Sequence, residues 1–210
     1  MTKRFLVVPI LVLTLALGGC STSWLTMFDS YLKLAGPILI SILDIAALAK
    51  GTTPNSALVA KIGAKGAALQ ALAAQVQQDV DNGLPTQGAC TEFNAGVADF
   101  VGLVPAIEAA TGVSNAATQA QINDGLAIFQ NLAAEIEAPI AACQTAPTPA
   151  AAMAVVAKAV AKANPSAYVA QFNAVLDRNT GDAKVVGKTK ALHIHAHGKL
   201  VRTLSVGLAK

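Results

Sequence analysis

Between Lys65 and Lys158 the chain holds no lysine or arginine. A protein that grips nucleic acid along its length cannot go so far without a cation. Aromatic residues are equally sparse at 4%, and charged residues reach only 13%, although 54% of the 210 residues are hydrophobic. Much of the apolar count is alanine, which favours closely packed helices over a core of large rings. Alternating runs of β-branched and aromatic residues are missing before Gly181, which argues against a sheet as the main scaffold. G-x-S-x-G, H-E-x-x-H and a phosphate-cradling glycine loop are missing too. Acidic pairs occur at Asp79/Asp81 and Glu135/Glu137, but i,i+2 spacing sends the members of each to different sides of a helix. These absences point away from an enzyme and away from a nucleic-acid partner.

What charge there is lies unevenly. Residues 21–178 carry seven bases against eleven acids, whereas from Asn179 onward Lys184, Lys188, Lys190, Lys199, Arg202 and Lys210 face only Asp182. An acidic body with a basic tail is the pattern of a chain whose tail touches anionic partners, such as lipid headgroups or cell-wall polymers. A solvated, solubilising tail is the plainer alternative.

The first twenty residues differ again. Lys3 and Arg4 precede an apolar run from Phe5 to Leu17, interrupted by Pro9 and Thr14, and Leu17-Gly18-Gly19-Cys20 closes it. The run is short for a bilayer span, and its flanks are those of an export signal. The closing tetrapeptide resembles the lipobox of bacterial lipoproteins. That resemblance implies cleavage before Cys20, a thioether-linked lipid on its sulfur and acylation of the new amino group. In such proteins a serine after the lipidated cysteine, here Ser21, implies the periplasmic face of the outer membrane, or the outer face of the cell membrane where only one membrane exists. Several acyl chains make a lasting anchor where one would be marginal. No family resemblance extends beyond residue 20.

Export exposes the remaining cysteines, Cys90 and Cys143, to an oxidising milieu. They bracket a helical hairpin with one arm from about Thr91 to Thr111, a turn at Gly112-Val113-Ser114 and a return arm from about Asn115 to Ala138. Its open ends bring the two cysteines together as a disulfide, which by loop closure contributes up to about 4 kcal/mol; two free buried thiols are the alternative.

The rest of the mature chain reads as all-α: an antiparallel bundle of five or six alanine-rich helices over residues 27–180, behind a lipidated leader at 20–26. The first helix, Met27 to Lys50, is expected to break at Gly36-Pro37. It is a core helix, or else an interfacial one with Trp24 and Tyr31 at headgroup level. Thr53-Pro54 is expected to start the second helix and Asn82-Gly83 to end it. Pro105 opens a separate turn with Ile107, and Pro139 is expected to limit the return arm, whose stripe runs Ile122, Leu126, Phe129, Leu132, Ile136, Ile140. Thr148-Pro149 starts a helix carrying Met153, Val156 and Val160, and Asn164-Pro165 the last one.

Residues 181–210 read as a basic tail or as a small β-hairpin of Lys190–Ala196 and Lys199–Val206 turning at His197-Gly198. All three histidines, His193, His195 and His197, lie there. On a strand His193 and His195 share a face and could chelate a divalent metal, although a stable site needs further ligands. The functional expectation is a lipid-anchored, non-catalytic envelope protein acting through contact with another envelope component, and needing no cofactor beyond its covalent lipid. The alternative is a binding module for a metal ion or for an apolar small ligand.

Overall fold

The computed structural model describes residues 21–145, 164–178 and 180–194, together with 148, 151 and 154. Its elements run α1 (Ser21–Lys50), α2 (Ser56–Asp81), α3 (Gln87–Val101), α4 (Val104–Thr111), α5 (Ala116–Thr145), α6 (Pro165–Leu176) and a 3-10 turn (Thr189–Leu192). They pack into an all-helical bundle; among the described residues there is no β-sheet.

Helix α1 is the axis of the molecule. A helix apolar on nearly every side is stable only if neighbours cover every side, and α2, α4, α5, α6 and the C-terminal turn all pack against it. Phe28, Leu34, Ile38, Leu39, Ile42 and Ile45 are each at most 1% exposed. This settles the first helix as core along its described side chains. Four helical stretches are long and apolar enough to cross a membrane. Among the described residues, however, their outward faces present few large apolar side chains. The large hydrophobic side chains exposed among the described residues are Leu84 and Val186, and the outside of α2 is alanine, glycine, glutamine and lysine.

Four expected boundaries are corrected. Helix α1 does not break at Gly36-Pro37; Pro37 lies inside it. A proline ring strikes the Cβ of the residue before it, and Gly36 has none, so helical backbone is tolerated here inside a sheath of packed helices. Nor does the polar leader stay outside, since α1 begins at Ser21. Pro139 likewise fails to stop α5, which runs on to Thr145 and so carries Cys143. The second helix starts later than Thr53-Pro54: its cap is Asn55, whose side chain accepts from the Leu58 amide at 3.1 Å.

Other signals are met. Asn82 caps the end of α2, and Gly83 follows with φ +65°, a left-handed turn that glycine adopts without strain. Pro105 stands in the first turn of the short α4, and Asn164 caps α6 by accepting from the Ala167 amide at 3.2 Å. Thr148 accepts from the Ala151 amide in the same manner; Met153, Val156 and Val160 lie outside the described residues.

Candidate functional site

The two ends of the bundle differ, and the contacts of α1 define them. At its start, Phe28 meets Phe93 of α3 edge-on at 5.0 Å between ring centroids, and the Tyr31 hydroxyl donates to Glu135 Oε2 of α5 at 2.9 Å. Cys90 and Cys143 lie at the same end. Their sulfurs are at disulfide distance and their Cα atoms 6.1 Å apart. The bridge joins the first turn of α3 to the last turn of α5, at the open end of the hairpin as expected. At the opposite end, Lys50 Nζ donates to the Ala110 carbonyl of α4 at 2.7 Å.

Cys20 lies outside the described residues, and at the next position, Ser21, the chain is already helical. The chain thus passes from the candidate lipidation site into its central helix with no linker between them.

The segment after Gly181 is neither a free tail nor, up to Ile194, a hairpin strand. It folds back over the far end of the bundle through turns and the 3-10 turn, burying Val185, Thr189, Leu192 and Ile194. Ser41 of α1 donates to the Leu192 carbonyl at 3.3 Å. Asn173 of α6 accepts from the Ile194 amide and donates to its carbonyl, both at 2.9 Å. This side chain satisfies one extended residue on both sides as a neighbouring strand would. The strand expected from Lys190 is therefore corrected: buried Thr189 and Leu192 sit at 3-10 spacing, and the apolar contacts favour that turn over an isolated hairpin.

Lys184, Lys188 and Lys190 stand exposed on this segment, between its buried residues. Lys184 Nζ lies 3.6 Å from where a side chain at Gly51 would begin, which places it beside the end of α1. Lys199, Arg202 and Lys210 lie outside the described residues. A cleft of about 480 Å3 opens at the same end, between the α1–α2 connection and α4, lined by Lys50, Thr52, Thr53, Asn55, Ser56 and Ala110 among others.

Of the histidines, His193 is described; His195 and His197 lie outside. His193 Nε2 is 3.0 Å from Asp177 Oδ1 at the end of α6. No local sequence pattern points to this carboxylate, which lies 16 positions away in the chain. Among the described residues no group of three potential metal ligands forms. The acidic pairs also stay apart in function: Asp79 and Asp81 accept from Gln75 and Gln77 on their own helix, and Glu135 binds Tyr31.

Two tyrosines flank Glu135. Tyr31 is 1% exposed and its ring meets Tyr168 at 6.0 Å. Burial first, then the Glu135 carboxylate, raises the Tyr31 hydroxyl far above its ordinary value and pushes Tyr168 up to about 12. Both are neutral at physiological pH and serve as donors. No signal in the sequence joined these three residues.

No family model matches the chain, and neither a curated protein nor a solved structure matches it.

Proposed function

We propose that this chain is a lipid-anchored, non-catalytic envelope protein, tethered through Cys20 to the periplasmic face of the outer membrane and acting by contact with another envelope component. In a cell with a single membrane the same anchor places it on that membrane's outer face. The observation that carries the reading is the junction at Cys20. A lipobox-like tetrapeptide ends one residue before a helix that forms the axis of the core, so a lipid on that cysteine holds the whole rigid bundle. The outward faces of the described residues fit it, since the large hydrophobic side chains exposed there are Leu84 and Val186. Labelled palmitate should enter the wild-type chain and not Cys20→Ser, and the mature N-terminal peptide should have the mass of an acylated cysteine. An unmodified N-terminus, or a chain that washes off membranes, removes the reading.

One contact favours a second reading, a metal-binding module. Asp177 beside His193 supplies a carboxylate and an imidazole at 3.0 Å, and His195 and His197 follow closely in the chain. Neutral imidazole with carboxylate suits zinc or copper. Calorimetry of the full chain with zinc should give heat at micromolar metal that Asp177→Asn and His193→Ala each diminish; no heat ends this reading.

A further inference from the structure

Among the described residues, four lysines at the far end of the bundle have no carboxylate partner. Elsewhere Lys33 pairs with Asp29, Lys65 with Asp99 and Arg178 with Asp124. Among the described residues, Lys50, Lys184, Lys188 and Lys190 form no such pair. The last three are fixed in place, because buried Val185, Thr189 and Leu192 alternate with them and hold the segment down. A cation presented rigidly and left unpaired keeps its full attraction for an external anion.

Their position decides which anion. Leu192 binds α1 at Ser41 and Lys184 stands beside Gly51. At 1.5 Å per residue, that stretch of α1 lies about 30 to 44 Å along the helix from Ser21. Headgroup potentials decay within a Debye length of about 8 Å at physiological salt. If α1 stands along the membrane normal, the lysines lie beyond reach of the anchoring bilayer. The anchor end is acidic, with Asp79, Asp81, Glu92, Glu135 and Glu137 set around the start of α1, the end of α2 and the end of α5. The far end holds acids too: Asp182 lies within the lysine segment, its carboxylate accepting from the Lys184 amide at 3.0 Å, and Glu108 stands on α4.

We propose that the face formed by Lys50, Lys184, Lys188 and Lys190 docks a carboxylate-bearing polymer of the cell wall, held off the anchoring membrane by the length of α1. This rests on the anchored reading above. The cleft of about 480 Å3 beside Lys50 selects a strand over a flat surface. A bilayer cannot enter a concavity of that size, whereas a thin glycopeptide can. Thr52, Thr53 and Asn55 on its wall offer donors and acceptors for hydroxyl and amide groups.

The test mixes the full lipidated chain in non-ionic detergent micelles with purified wall sacculi and measures the fraction that pellets. The chain should pellet at about 50 mM salt and release at about 500 mM, as screened ion pairs do. Lys184→Glu/Lys188→Glu/Lys190→Glu should lower binding by about tenfold or more, because each base near an anionic surface contributes up to about fivefold. The neutral triple variant to Gln should fall between, and Asp79→Lys/Asp81→Lys at the other end should not weaken binding. Undiminished binding by the Glu triple overturns the proposal. So does lysine-dependent binding to phosphatidylglycerol vesicles with none to sacculi. The mass of the N-terminal peptide from the same preparation reads the anchor separately: an acylated Cys20 without sacculus binding fells the lysine face alone, and an unmodified Cys20 with it fells the anchor alone.

Discussion

Gly125 of α5 approaches Ile42 of α1 so closely that a methyl group on it would lie 3.1 Å from Ile42 Cγ1, and 3.2 Å from Phe172 Cε2 on its other side. Both neighbours are fully buried in the core. The glycine is therefore what lets α5 and α6 close on the central helix. Gly125→Ala should destabilise the protein by up to about 2 kcal/mol, because overpacking by about 1–3 kcal/mol exceeds the gain of about 1 kcal/mol in helix propensity. Gly63 on α2 is the control: a methyl group there meets nothing within 4 Å, and Gly63→Ala should stabilise by about 0.5–1 kcal/mol. Urea unfolding of the full chain measures both, and equal effects would show that the close approach is immaterial.

That contrast also marks how far the sequence could be read. The stripe Ile122, Leu126, Phe129, Leu132, Ile136, Ile140 announces α5, and all six are buried in the core, because helical spacing alone determines which side chains share a face. The pairing of Cys90 with Cys143 followed from the hairpin between them. The two prolines misled because their effect depends on surroundings: Pro37 and Pro139 both sit inside helices that neighbours hold continuous. The C-terminal segment was legible in charge and not in shape. Its lysines stand outward, but what fixes it is Asn173, Ser41 and the apolar surface of distant helices, which no local pattern encodes. Asp177 beside His193 and Glu135 between two tyrosines were hidden for the same reason.

Asn173 offers a direct test of that docking. Its amide makes two hydrogen bonds to the Ile194 backbone, each worth about 0.5–1.5 kcal/mol net. Asn173→Ala should therefore release the end of the segment locally, speeding hydrogen exchange at the Ile194 amide by about tenfold or more while amides in α1 stay protected. Asn173→Asp keeps the acceptor and loses the donor, so its exchange rate should fall between the two. Unchanged exchange in Asn173→Ala would mean that Leu192 and Val185 hold the segment unaided.

The Cys90–Cys143 bridge closes 53 positions of chain at the end of the bundle where α1 starts. A constraint over that length lowers the entropy of the unfolded state by an amount equivalent to about 4 kcal/mol at most. Cys90→Ala/Cys143→Ala should lower stability in urea by about 2–4 kcal/mol without changing the helical content of the folded state. Both residues are buried, at 2% and 5% exposure, so the reduced wild-type chain should behave as the double variant does. A loss below about 0.5 kcal/mol would show that packing of α3 on α5 already restricts the open chain.

The tyrosines around Glu135 make stability fall at high pH. In the unfolded chain a tyrosine loses its proton near pH 10. In the bundle burial and Glu135 hold Tyr168 neutral up to about 12 and Tyr31 beyond that. Between those values the folded state binds more protons than the unfolded one, so stability is complete below pH 10 and declines as pH rises above it. The Tm of the wild-type chain should therefore drop more steeply from about pH 9 to about pH 11 than that of Tyr31→Phe/Tyr168→Phe. At neutral pH the order reverses in the wild type's favour by about 0.5–1.5 kcal/mol, the worth of the hydrogen bond from Tyr31 to Glu135. Glu135→Gln separates the two causes: it removes the carboxylate that raises both hydroxyls and leaves their burial intact, so its alkaline slope should lie between those of the wild type and the double variant. Identical slopes in all three chains would mean that neither tyrosine keeps its proton in the folded protein past the point where the unfolded chain gives it up.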